Sequence, residues 1–150
     1  MKKLIMMVSL LVSAGCLLAQ HRQDRAPQQV QQTFQRDYPQ ADNATWSHKN
    51  SQWSARFDDK SPNDNGEMVA HYSHTGKYID SHIPYDRNDV PAAVVKTTHR
   101  RYRDARDESY TRIDQPNGLS LFEVLLNIGG NQKKVYMNED GQERRYTDRH

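Results

Sequence analysis

The sequence repeats itself. Residues 27–41 (PQQVQQTFQRDYPQA) and 91–105 (PAAVVKTTHRRYRDA), at an offset of 64, are identical at six of fifteen positions: Pro27/Pro91, Val30/Val94, Thr33/Thr97, Arg36/Arg100, Tyr38/Tyr102 and Ala41/Ala105. The register runs on to Trp46/Tyr110 and Tyr72/Tyr136, then slips by one residue so that Gly76 answers Gly141. A fixed period of this length marks repeated structural units. The chain must therefore fold into two similar halves, about 26–84 and 90–147, with the same elements in the same order.

Each half opens with a helix. Pro27 and Pro91 suit a first helical turn, where a missing N–H costs nothing. Val30, Phe34 and Tyr38 recur every four residues, as do Val94, Thr98 and Tyr102, with Ala105 continuing that face. Each set is a narrow apolar stripe on an otherwise polar helix. Short runs of strand character follow, at 45–49, 52–58, 67–73 and 77–83 in the first half and 108–114, 119–128, 133–138 and 142–147 in the second. Turn formers separate them: Asn63–Gly66, Thr75-Gly76, Pro116–Gly118, Gly129-Gly130 and Asp140-Gly141. Short turns make antiparallel meanders, and the absence of βαβ crossovers predicts an α+β fold. Trp53, Ala55 and Phe57 alternate with Ser54, Arg56 and Asp58, which predicts helices on one sheet face and water on the other. The nearly continuous apolar run 119–128 reads as a central strand.

Only 35% of residues are hydrophobic and 27% are charged, so neither half has enough apolar side chains to fold alone and the two must share one core. The first nineteen residues stand apart. Lys2 and Lys3 precede an apolar stretch ending at Ala19, the pattern of a secretory signal cut after Ala19 and too short to span a membrane. Ser13-Ala14-Gly15-Cys16 offers a second possibility, a lipid anchor at Cys16. Removal of Lys2 and Lys3 brings the 21 bases level with the 19 acids, so the remainder carries no net charge and gives no reason to expect nucleic acid as a partner. The only cysteine leaves with the signal, so no disulfide is expected.

The spacing P-x-x-V-x-x-x-[F/T]-x-x-x-Y-x-x-A followed by strands and a glycine hairpin, twice behind a signal, resembles the PepSY-like family of secreted, beta-lactamase-inhibitor-like proteins of Gram-negative bacteria. The segments that carry it are 90–105 (VPAAVVKTTHRRYRDA) and 119–142 (LSLFEVLLNIGGNQKKVYMNEDGQ), with a weaker copy over 26–83. Arg103 departs from the pattern where a proline commonly follows the tyrosine; Pro39 keeps it. The resemblance implies a single domain over 20–150, a tandem α+β fold with helices on one face of a curved antiparallel sheet, and no catalytic residues. A distant analogue, a beta-lactamase inhibitor protein, grips an enzyme with its concave sheet. The shared positions are core positions, so no activity transfers.

Two clusters are candidates for function. With Thr75-Gly76 as a two-residue hairpin loop, His71 faces Asp80 across the strands and His82 follows on the same side, a set that suits zinc or copper. The competing reading is an ordinary cross-strand pair. Arg100, Arg103 and Arg106, three residues apart, form one ridge if the second helix continues through them. They would meet an anionic partner (an acidic protein, lipopolysaccharide or anionic lipid headgroups), or merely solvent, balanced by Asp104, Asp107 and Glu108. Trp46, Tyr78 and Tyr110 are candidate partner contacts because interfaces favour aromatic residues, although Trp46 and Tyr110 occupy equivalent positions and fit a core equally well. No G-x-S-x-G, H-E-x-x-H, Walker or dinucleotide motif is present. Asp58, Asp59 and Asp64 lack EF-hand spacing. The sequence thus predicts a secreted or periplasmic non-catalytic module without a cofactor. It binds a protein or peptide through the open sheet face, an enzyme that it inhibits being the most concrete case. The alternative is a metal or small-ligand binder using His71, Asp80 and His82.

Overall fold

The computed structural model describes residues 25–58 and 66–146; residues 1–24 with Cys16, residues 59–65 with Asp59 and Asp64, and residues 147–150 lie outside them. The described chain runs α1 (Gln28–Asp37), β1 (Asp42–Lys49), β2 (Gln52–Asp58), β3 (Met68–Ser73), β4 (Tyr78–Tyr85), α2 (Ala92–Arg101), β5 (Ala105–Asp114), β6 (Ser120–Ile128), β7 (Asn131–Met137) and β8 (Glu143–Arg144). All eight strands form one antiparallel sheet in sequence order, so the fold is α+β. Strand β6 is interior, as expected of its apolar run, but the middle of the sheet is the β4–β5 pair.

The prolines sit one position earlier than expected, at the N-caps. The Pro27 carbonyl accepts from Val30 and Gln31, and the Pro91 carbonyl accepts from Val94 and Val95, so each ring precedes the first helical turn. Both helices end alike: Tyr38 N–H donates to Phe34 and Tyr102 N–H to Thr98, each at 2.8 Å. Helix α2 thus stops at Arg101, and Ala105 starts β5 instead of extending the helical stripe.

Both helices lie on one face. Val30 and Phe34 of α1 pack with Ala55, Phe57, Met68, Ala70 and Tyr72; Val94 of α2 packs in a second cluster with Tyr110, Phe122, Val124, Leu126, Val135 and Met137. Phe34 is the centre of the first cluster, its ring 4.8 Å from Phe57, 5.3 Å from Trp46 and 5.6 Å from Tyr38. The contacts to Phe57 and Trp46 are edge-on, an arrangement that adds about 0.5–1.5 kcal/mol per pair beyond area burial. Tyr85 touches both clusters. Beside it runs a polar seam: Tyr78 Oη lies 2.9 Å from Ser81 Oγ and donates to the Asp114 carbonyl, while the Asp114 carboxylate accepts from Arg112 and Ser120.

Two glycine turns pin the helices to the sheet. Gly76 N–H donates to Ser73 and Gly141 N–H to Asn138, each glycine having positive φ. A Cβ on Gly76 would stand 3.1 Å from the Gln29 carbonyl oxygen of α1; on Gly141 it would collide with the Ala93 carbonyl oxygen of α2 and come within 2.8 Å of Thr97 Oγ1. Gly118 has a similar φ of +75° but open space around it. Gly118→Ala should therefore cost about 1 kcal/mol, the strain alone. Gly141→Ala should cost about 3 kcal/mol or more, because backbone must also move. Urea denaturation of the two variants checks the difference.

Candidate functional site

The face away from the helices carries the site. Along β3 and β4, Ala70, Tyr72, Ser81 and Ile83 point to the helices, which sends Val69, His71, Asp80 and His82 to the other side. The expected His71–Asp80 pairing is present, but the loop that sets it is different. Ser73 N–H donates to Lys77 and Gly76 N–H to Ser73, a three-residue loop with glycine in the left-handed position. That loop alone would place His71 opposite Ile79. A bulge between Tyr72↔Tyr78 and His71↔Asp80 takes up Ile79 and restores the pair.

His71 Nδ1 is 2.6 Å from Asp80 Oδ1, and His82 Nε2 is 3.5 Å from the same oxygen. The His71 and His82 rings meet edge to face at 5.0 Å. One ligand atom from each of the three residues lies within 4.8 Å of the others. Asp80 is 6% exposed, and His82 pairs across β4–β5 with Ile113, which is fully buried. The face expected to be open to water is therefore closed at its centre.

The C-terminal segment contributes to that closure through Tyr146, a residue that no pattern in the sequence singles out. Residues 142–147 were expected to form a strand, but β8 holds only Glu143–Arg144 and the chain then leaves the sheet edge. Tyr146 packs on Tyr136 at 5.0 Å and donates its hydroxyl to Asp80 Oδ2 at 2.6 Å. No spacing rule links positions 66 residues apart, so only the surplus tyrosine in a polar segment could have hinted at it. Burial alone would push the Asp80 carboxyl up; the hydrogen bonds from His71 and Tyr146 and the adjacent imidazoles outweigh it and hold the group below its ordinary value.

Beside the cluster opens a cleft of about 590 Å³, lined by the β3–β4 loop and bulge (Lys77–Asp80), the β5–β6 turn (Gln115–Asn117), and Arg145 with Tyr146. The volume falls within the range of small-ligand sites.

The other sequence candidates are dispersed. Tyr110 is 3% exposed in the second core cluster and Trp46 packs against Phe34, so both are helix-side packing residues and not open-face contacts. Their equivalent registers are those of inward-facing strand positions. Tyr78 is half-buried on the helix side, yet lines the cleft. The three arginines do not form one ridge: Arg100 is in the last turn of α2, Arg103 lies in the following turn and Arg106 is on β5, because the helix stops at Arg101. All three are exposed, while His99 and Arg101 pair with Glu108 and Glu143 at 2.9 and 2.8 Å.

No protein-family profile matches the chain, and no curated protein sequence does. Solved structures do. A DUF2874 family protein from Bacteroides uniformis superposes with a TM-score of 0.71 at 21% identity, covering 81% of this chain and 88% of its own. A BLIP-like protein from Bacteroides fragilis gives 0.71 at 18% identity, covering 83% and 87%. A protein from Bacteroides eggerthii, provisionally called periplasmic, gives 0.70 at 18% over 81% and 88%. At such identities the likeness establishes the fold and nothing finer, so the beta-lactamase-inhibitor-like side of the resemblance is met as a fold.

Tyr146→Phe should cost about 2 kcal/mol at pH 7 in chelator-containing buffer, the worth of a hydrogen bond to a buried charge. Because the folded Asp80 carboxyl lies below its ordinary 3.8, the difference between wild type and variant is full above that value. It should shrink as pH falls through the folded value, where both forms hold a neutral carboxyl. Paired denaturation curves from pH 7 to pH 2 check this.

Proposed function

We propose that the chain is a secreted or periplasmic, non-catalytic binding protein that engages a protein or peptide through the sheet face opposite its helices. The observation that carries the reading is the cleft at the edge of that face, between the β3–β4 and β5–β6 loops and the C-terminal segment. A cleft of this size accepts one or two side chains of a partner. Lys77 and Arg145 at its rim are exposed cations, which favours an acidic residue in the partner. The remaining polar lining, Gln115 and Asn117, supplies orienting hydrogen bonds.

Inhibition of an envelope or extracellular enzyme is the most concrete form of this function. The beta-lactamase-inhibitor-like fold of the Bacteroides fragilis neighbour supports it by analogy. The signal-like segment 1–19 would deliver the chain to that compartment. The two halves read as a duplicated helix-plus-four-strand unit, supported by the 64-residue sequence period and by matching cap and glycine-turn hydrogen bonds. The PepSY-like spacing in both halves fits the same origin.

A partner captured from envelope and supernatant fractions by the wild-type protein should bind Lys77→Glu/Arg145→Glu at least about tenfold more weakly, as expected for charges at an interface rim and centre. Arg100→Glu/Arg103→Glu on the helix side should leave affinity unchanged. Surface plasmon resonance compares them. Loss of binding in the second pair alone would move the interface to the helix side and overturn the reading.

A further inference from the structure

We propose that His71 Nδ1, the Asp80 carboxylate and His82 Nε2 form a binding site for a divalent transition-metal ion of the zinc–copper class. The inference does not depend on any protein partner.

Three distances within the cluster converge on this assignment. Satisfying a buried aspartate needs one imidazole, and His71 at 2.6 Å already does so; a second imidazole nitrogen nevertheless stands 3.5 Å from the same oxygen. Tetrahedral zinc with ligand bonds of about 2.0–2.2 Å holds its ligand atoms roughly 3.3–3.6 Å apart. The His82–Asp80 separation is already in that range. The His71–Asp80 pair must open by about 1 Å and the widest pair, at most 4.8 Å, must close by a little more than that. Side-chain rotation supplies such movements without shifting the strands that carry the ligands.

The donor set selects the metal. Two imidazoles and one carboxylate suit zinc, copper or nickel, whereas calcium and magnesium require oxygen ligands. The imidazoles must bind as neutral bases, so the proton in the His71–Asp80 hydrogen bond passes to His71 Nε2 or to solvent when the metal enters. Tyr146 holds Asp80 Oδ2 at 2.6 Å, the position of a second-layer donor that fixes the carboxylate and leaves Oδ1 for the metal. The cleft lined by Asp80 and Tyr146 provides the route of entry and room for a fourth, exchangeable ligand. Tyr146 is a positioning residue in this scheme.

The test uses chelator-stripped purified protein with Zn(II) and Co(II) as probes. At about one hundred times the dissociation constant, Zn(II) should raise the melting temperature by roughly 5–10 °C. Co(II) should give the visible absorption of a tetrahedral nitrogen–oxygen site. His71→Gln and His82→Gln should each abolish both signals while keeping the wild-type circular dichroism. Should His71→Gln fail to fold, His82→Gln decides, since that side chain is 20% exposed and less embedded. Tyr146→Phe should keep the Co(II) spectrum and weaken binding by about tenfold or more. Absence of both signals in the wild type, or their survival in the folded histidine variants, overturns the site. Unchanged affinity in Tyr146→Phe overturns the role given to that hydroxyl.

Discussion

Each helix is held to the sheet by a strip of side chains so narrow that backbone contact has to complete the packing. Val30 and Phe34 are the buried residues of α1; Val94, Thr97 and Thr98 are those of α2. Two hydroxyl-bearing residues among five is a thin apolar stripe for anchoring ten-residue helices. The glycine turns make up the deficit. Gly76 and Gly141 bring hairpin backbone directly against helix backbone, where no side chain fits, and so fix where each helix lies over its strands. The rest follows from that placement: with both helices committed to one face, the strands must present their alternate residues to the other.

That division of faces explains the contrast between the two sides. The helix side is apolar except for the seam around Arg112 and Asp114, which lies between the two hydrophobic clusters. The far side is polar, yet its centre is buried, with Asp80, His71 and His82 beside Ile113. A buried carboxylate is expensive unless hydrogen-bonded, and this one is held from both sides, by a strand neighbour and by the C-terminal segment. The arrangement ties the end of the second half to the strands of the first. It also places this carboxylate and its two imidazoles beside the cleft lined by Asp80 and Tyr146.

Much of this was legible in the sequence because it depends on period. The helical stripe at Val30 and Phe34, the inward set Trp53, Ala55 and Phe57, and the order of elements all follow from local alternation. The His71–Asp80 pair was reached through the wrong loop: an extra loop residue and the Ile79 bulge cancel, and neither leaves a trace in hydrophobic patterning. The end of α2 was misread because Arg103 and Ala105 continue a helical spacing that the chain abandons at Tyr102. Tyr110 and Trp46 looked like contacts only because an aromatic residue on a half-buried strand carries no mark of the face it takes. Tyr146 was invisible since its partner lies 66 residues away, and local period says nothing about contacts that distant.

The central claim is that the face opposite the helices is the one that meets a partner. Site-specific photo-crosslinking in the native host tests it directly, with a benzophenone amino acid placed singly at exposed Lys77 and Asn117 beside the cleft, and at exposed Gln32 and Lys96 on the helices. The account predicts one discrete adduct from positions 77 and 117 and none from 32 and 96. Adducts from the helical positions, with none from the cleft, would contradict it.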